Sequence, residues 1–527
     1  MSDDAIFAHS AVAAPHALAA QAGRDILIQG GNALEAMVAM AASIAVVYPH
    51  MNSIGGDGFW IVREPKGKVR AIEACGFAGE KATVASYEAL GGVPTRGPLA
   101  ALTVPGAVGG WKAALELGEH LGGRLPLADI LGAAIGQARA GVAISPSEER
   151  TQPHVGAGLY EAPGFKETFF VDGAAPKAGV MRKLPKLGEA LAQLADAGLE
   201  DFYRGDIARE IAADLENLGS PVTRADLKKY TARWREPLSI KTRTATLYNT
   251  PVPTQGLASL MILGIYERLG VKQIESVDHA HALIEATKRA FAHRDRVCVD
   301  FDLTEEDFDA LLSPASFAQE AAAIDMTRAA AWPLSAAKGD TIWMGAIDRD
   351  GLAVSYIQSV YWEYGSGVVL PATGVMMQNR GIAFSLDPAS PRYLKPGRRP
   401  FHTLNPALAV FADGRVMSYG AMGGDGQPQF QAQVFSRIAA GERLAAAVAA
   451  PRMLWGKTWG ADSLTVKVEA SYDDALAAGL GRRGHEIERL APNRQDAFGH
   501  AGALRRGLKG EIEATHDPRA DGGAVGF

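Results

Sequence analysis

Only two cysteines occur in the 527 residues, Cys75 and Cys298. Two thiols cannot build a disulfide framework or a thiolate metal cage, so they read as buried thiols in a reducing compartment. Long apolar runs are missing too. The most apolar stretch, residues 36–48, falls short of the roughly 20 residues that cross a bilayer. The N-terminus opens with acids rather than a basic segment leading into an apolar one, so no secretory signal is read. A cytoplasmic location with no membrane partner is the expectation. Nor is there an excess of positive charge, since 53 Lys and Arg against 59 Asp and Glu give −6. That balance excludes a dedicated nucleic-acid binder, because phosphate contact needs a basic face. Internal repeats and low-complexity tails are also absent.

What is present has the composition of a globular protein, 47% hydrophobic and 21% charged, in a chain long enough for several units. The first 330 residues read as mostly helical. Gly30-Gly31-Asn32 precedes the apolar run that starts at Ala33, with Glu35 at the capping-box position after Asn32. That run is apolar nearly all round, which predicts a helix buried on most faces. Amphipathic stretches at 109–119, 127–140, 184–198, 205–217, 257–269 and 276–294 predict further helices. Residues 59–62 and 69–74 predict a hairpin, and the alternation over 238–248 predicts one half-buried strand.

The texture changes near residue 325, where 327–339 reads as a linker. A hairpin then follows, Thr341–Ile347 and Leu352–Ser359, around the turn Asp348-Arg349-Asp350-Gly351. Further strands are expected at 406–412, 416–420 and 464–468, and helices at 428–439, 443–449 and 471–479.

Several motifs bear on chemistry. Gly423-Gly424-Asp425-Gly426 lies between a strand and a helix but lacks dinucleotide spacing. A glycine pair there suits backbone N–H groups offered to an oxyanion, and a plain tight turn explains it equally well on spacing alone. Asp278, His279, His281 and Glu285 contain only one helical i, i+4 pair, so they read as solvated polar residues rather than metal ligands. Ser366, in Gly365-Ser366-Gly367, is not in a nucleophile elbow. Thr341 opens a strand directly after Asp340. Were the Asp340–Thr341 bond cut, Thr341 would carry both a hydroxyl and an α-amine titrating near about 8, uniting nucleophile and base. Strands often begin with Thr, so spacing leaves this one reading among many.

The order of segments is more specific. Gly30-Gly31-Asn32-Ala33-Leu34-Glu35-Ala36, Tyr48-Pro49-His50, Gly55-Gly56-Asp57-Gly58-Phe59, Thr103-Val104-Pro105-Gly106, Asp201-Phe202-Tyr203-Arg204-Gly205, Thr254-Gln255-Gly256, Asp340-Thr341, Gly365-Ser366-Gly367, Gly423-Gly424 and Asp517-Pro518-Arg519 occur in sequence. Together they resemble the γ-glutamyltranspeptidase family over nearly the whole chain. The resemblance implies an α+β fold, the four-layer αββα sandwich of N-terminal nucleophile hydrolases. It also implies a precursor that cuts itself at Asp340–Thr341 into a large chain, 1–340, and a small chain, 341–527, which stay together as one intertwined unit. A heterodimer of these chains is the expected partner arrangement, with a dimer of heterodimers left open. By position, Thr341 is the nucleophile, Ser359 the hydroxyl beside it, and Gly423 and Gly424 the oxyanion hole.

The departures from the family pattern are informative. Where members acting on glutathione carry an arginine, the segment here reads Ala82-Thr83-Val84. Their acid for the glutamyl amino group aligns with Ala383, their asparagine with Tyr361, their glutamine with Arg380, and their serine pair with His402-Thr403. A zwitterionic glutamyl head would meet neither counter-charge, at several kcal/mol for each unpaired charge. Arg380 offers a bidentate fork to a carboxylate, with Tyr361, His402 and Thr403 as polar neighbours. A surface or inter-chain salt bridge would account for Arg380 equally well, and a satisfied core position for His402. The pattern is similar to the oxamate amidohydrolase branch, which belongs to purine-ring nitrogen catabolism, and shares features with cephalosporin acylases. The expected substrate is a small carboxylate-bearing amide, with no cofactor or metal required. The alternatives are a γ-glutamyl peptide hydrolase or transpeptidase, an acylase, and an unprocessed binding protein.

Overall fold

The structure is a computed structural model that describes residues 5–156, 158–331, 340–456 and 464–527. The expected linker lies mostly outside the described residues, as does the Asp340 side chain. Two antiparallel seven-stranded sheets stack face to face. The first runs, in spatial order, Gly523–Gly526, Ala11–Ala14, Asp340–Ile347, Ala353–Tyr361, Asp57–Arg63, Val69–Ala74 and Arg233–Arg235. The second runs Ala5–Phe7, Ile512–His516, Ala501–Arg506, Val416–Ala421, Ala407–Phe411, Ala245–Asn249 and Leu238–Lys241.

The two-residue period of each strand sorts its side chains between two cores. Phe59, Ile61, Trp343, Ile357, Leu408, Val416 and Leu504 fill the space between the sheets. Trp60, Val62, Met344, Val354 and Tyr356 point the other way, under the helices Ala17–Ile28, Ala33–Val47 and Ala107–His120. On the far side Leu247, Ala409, Met417, Tyr419 and Ala503 pack under Gly256–Arg268, Val277–Val297 and Gln427–Ala439. The result is the αββα sandwich, an α+β fold.

The Ala33–Val47 helix is buried at every residue, and Asn32 and Glu35 close the capping box at its start. The stretch 238–248 departs from expectation, forming two strands rather than one. The Thr242 side chain accepts from Ala245 N–H at 3.1 Å and its backbone N–H donates to Ala245 O at 2.8 Å. The turn thus reverses the chain without breaking the polar–apolar alternation. Among the described residues no helix is long and apolar enough to cross a membrane. Both cysteines are buried free thiols.

Candidate active site

The strand Asp340–Ile347 lies inside the first sheet, between Ala11–Ala14 and Ala353–Tyr361. Its register shifts between Asp340 and Ile342, a local irregularity that falls on Thr341. Thr341 is fully buried, and its hydroxyl donates to Ser359 Oγ at 3.2 Å. Ser359 Oγ in turn accepts the Tyr361 N–H at 2.8 Å. Across the next strand Ser359 pairs directly with Asp57. Thr341, Ser359 and Asp57 therefore form a row over three neighbouring strands at one end of the sheet.

The second sheet brings the glycine pair to the same end. Trp343, two residues into the strand from Thr341, lies so close to Gly420 that a Cβ there would sit 2.2 Å from the indole. The chain leaves that strand through Gly423 at φ +120° and Gly424 at φ +54°, conformations suited to glycine. These two residues open the turn Gly424–Gly426 that leads into the helix Gln427–Ala439. As cap and first residue of that turn, their N–H groups are not used by it. Gly423 O accepts from Gly426 N–H at 2.8 Å, which orients the peptide units.

A residue not singled out from sequence fixes this loop. Gln255 Nε2 donates to Gly424 O and to Thr403 O, each at 2.8 Å. Its Oε1 accepts from Arg294 Nη1 at 3.2 Å, and Arg294 Nη1 also donates to Asp425 Oδ1 at 3.0 Å. Gln255 was visible only as part of the Thr254-Gln255-Gly256 motif; nothing local in that motif points to a glycine 169 residues away. Gln255→Ala should lower kcat about 10- to 100-fold with little change in KM, because the donors would lose their aim. Steady-state kinetics on processed enzyme test this, and a pure KM effect would contradict it.

The four expected substrate-binding residues converge. Arg380 is 1% exposed, with its guanidinium 3.7 Å from the centre of the Tyr361 ring. Its Nη1 reaches Thr403 Oγ1 at 3.5 Å, and Nη2 has no hydrogen-bond partner among the described residues. The surface salt-bridge reading is thus excluded within those residues. Burial lowers its pKa to about 10, which leaves it cationic at neutral pH. Tyr361 has φ +84°, rare for a bulky residue and of the kind that collects at functional sites. His402 is fully buried, stands edge-on to Phe59, and has neither ring nitrogen hydrogen-bonded among the described residues. Burial, then Arg380 and Arg399, hold its pKa well below the ordinary value, so the ring is neutral. It is not a satisfied core histidine.

The helix cluster corrects an expectation. Asp278 is exposed, but His279, His281 and Glu285 are buried rather than solvated. His281, Glu285 and His485 bring their ligand atoms within 4.8 Å of one another. His281 Nε2 meets Asp325 O at 2.9 Å, and a carbonyl only accepts, so that nitrogen carries the proton. Its Nδ1 then accepts from His485 Nε2 at 2.8 Å. Lys288 Nζ, 2.7 Å from Glu285 Oε1, already balances the carboxylate. These groups close on one another because tertiary packing buried both helix faces, which an isolated helical pattern does not reveal.

Stacked antiparallel sheets between helix layers, with a strand-opening threonine against a serine hydroxyl and a glycine-pair turn, define an N-terminal nucleophile hydrolase acting on amide C–N bonds. Residues 19–527 match the family model described as Gamma-glutamyltranspeptidase, and the chain belongs to that family. It is 47% identical over 529 residues to the oxamate amidohydrolase proenzyme of Klebsiella pneumoniae subsp. pneumoniae, covering 100% of both chains. It is 36% identical over 534 residues to the glutathione hydrolase-like YwrD proenzyme of Bacillus subtilis, again covering 100% of both. Among solved structures, a cephalosporin acylase from Bacillus halodurans superposes with a TM-score of 0.90 at 33% identity, covering 100% of this chain and 97% of that one.

Proposed function

We propose that the chain cuts itself before Thr341, and that the resulting large and small chains form an amidohydrolase of small carboxylate-bearing amides, with oxamate as the type substrate. The observation that carries the substrate class is Arg380: a buried cation, stacked on Tyr361, with one guanidinium nitrogen unpartnered among the described residues. A buried charge of this kind is costly unless a counter-ion arrives. The 47% identity to an oxamate amidohydrolase proenzyme supports the same choice.

In this mechanism Thr341 Oγ attacks the amide carbonyl while its own α-amine takes the hydroxyl proton. The Gly423 and Gly424 N–H groups hold the oxyanion; losing one such donor typically costs about 2.7–4 kcal/mol of barrier. The amine then passes its proton to the departing nitrogen, ammonia leaves, and water cleaves the acyl-threonine ester. Ser359 keeps Thr341 Oγ oriented. A γ-glutamyl substrate fits less well, because Ala383 stands where the family's acid for the amino group would be. Localisation in the cytoplasm and a place in purine-ring nitrogen catabolism belong to the same proposal.

Ammonia release from oxamate, malonamate, succinamate and glutamine, beside p-nitroaniline release from its γ-glutamyl derivative, tests the substrate class. Oxamate should give the highest kcat/KM. Arg380→Met should raise its KM about 10- to 100-fold, the loss of one or two charge-assisted hydrogen bonds. An unchanged KM would remove Arg380 as the carboxylate clamp.

A further inference from the structure

The segment Gly55-Gly56-Asp57-Gly58, one of the ordered motifs, places a carboxyl beside Ser359 at the nucleophile's end of the sheet. Asp57 is 1% exposed. Its Oδ1 accepts from Gly76 N–H at 3.1 Å and Gly106 N–H at 3.0 Å, which locks the side chain in place. Its Oδ2 stands 3.6 Å from His402 Nε2 and meets no donor in good hydrogen-bond geometry among the described residues, while the Gln378 side chain is a further polar neighbour that favours the charged form. The cross-strand pairing with Ser359 puts it on the row that begins at the nucleophile.

The charges around it can be counted. Arg380 acts on Asp57 as a nearby cation, and His402 is neutral. Cys75 stays a thiol, its pKa raised by burial and then by Glu73 and Asp57. Glu73 is already paired with Arg399 at 2.9 Å and Arg235 at 2.8 Å. Tyr203, Tyr230 and Tyr356 are buried phenols whose pKa values burial raises. Arg380 is thus the one cation in this shell, among the described residues, that is not held by another carboxylate. A substrate carboxylate on Arg380 would set two anions against one cation, and a dry site does not tolerate the surplus.

We infer that Asp57 is a specificity residue of the acyl pocket that must carry a proton whenever Arg380 holds a substrate carboxylate, so that above neutral pH each substrate anion enters with one proton. The inference rests on the proposed role of Arg380. Protonated Asp57 keeps its Oδ1 acceptor and presents an O–H toward neutral His402 or the bound carboxylate. Burial, opposed by Arg380, the Gly76 and Gly106 N–H groups and the Gln378 side chain, sets the free carboxyl at about 7. Below that pH the proton is already in place, and above it binding must recruit one.

Propionate, a small monoanion that shares oxamate's carboxylate end and has no cleavable amide, is the probe. In processed enzyme its inhibition constant against oxamate should rise about tenfold per pH unit between pH 7 and 9, the slope of one linked proton. Asp57→Asn keeps the Oδ1 acceptor and cannot ionise, so its profile should lack that limb. The Thr341 α-amine titrates in both proteins, and the difference between profiles isolates Asp57. Parallel profiles would overturn the inference. So would a glutamine KM that rises on Asp57→Asn while propionate is unaffected, which would make Asp57 the partner of an ammonium group. Calorimetry on the unsubstituted enzyme at pH 8, in buffers of unequal ionisation enthalpy, should show about one proton taken up per propionate; none would refute it. If Arg380→Met leaves propionate binding unchanged, the clamp itself fails, a result distinct from a clamp that works without proton uptake.

Discussion

Replacing Thr341 with alanine should give an uncut chain of 527 residues with amide hydrolysis reduced at least about 10⁴-fold. The size of the effect follows from the double duty of one residue. The hydroxyl is the attacking atom in both the backbone cut and the substrate reaction, and the α-amine exists only after the cut. Alanine removes the first and thereby prevents the second. The site is otherwise undisturbed, since Ser359 keeps its hydrogen bond from the Tyr361 N–H. Thr341→Ser is the control: it restores a hydroxyl and, after cleavage, an amine, and should be cut and active at reduced rate. A gel and an ammonia assay decide both points. A cut, active alanine variant would remove Thr341 from the mechanism.

The second large effect concerns stability. Asp517, in the Asp517-Pro518-Arg519 tail, is fully buried between two guanidinium groups. It pairs with Arg452 through Oδ2, accepts Arg519 Nη1 at 2.9 Å and takes the Ala501 N–H at 2.7 Å. Arg519 also holds Glu469 at 2.7 Å, which gives it a second carboxylate. Arg452 is 0% exposed; beyond Asp517 its guanidinium reaches only the neutral carbonyls of Val448, Phe498 and Gly499 among the described residues. Asp517→Asn would leave the Arg452 charge buried without its direct counter-ion and should cost about 3–5 kcal/mol. Removing the exposed partner in Arg139–Glu189 should cost close to nothing by comparison. Denaturant midpoints measure both, and equal effects would contradict the argument.

The same cluster sets an acid limit. Burial alone would raise the Asp517 pKa, but Arg452 and Arg519 hold it down to about 2. A carboxylate depressed in the folded state contributes fully above its unfolded value of about 3.9 and loses that contribution as pH falls toward 2. Stability should therefore decline between about pH 4 and 2, with a smaller decline in Asp517→Asn.

Sequence revealed the local features because their causes are local. Asn32 and Glu35 act three residues apart, and the Asp-Gly turn joins strands that touch it. Thr341, Ser359, Gly423 and Gly424 were reachable because ordered motifs mark them. Gln255 and Asp57 stand in ordered motifs too, but their roles were hidden because those roles depend on distant partners. Gln255 matters through carbonyls on two distant loops, and Asp57 through a sheet pairing that places a turn residue opposite Ser359. The alternation over 238–248 misled because a turn stabilised by Thr242 preserves the polar–apolar pattern. His281 and Glu285 misled because a polar helix face was covered by the segments bearing His485 and Asp325.

The most direct measurement is N-terminal sequencing, with intact mass, of the smaller chain from enzyme that turns over amide. The account requires that chain to begin Thr-Ile-Trp-Met, at Thr341. An active protein that runs as one uncut chain, or a small chain with any other first residue, would contradict it.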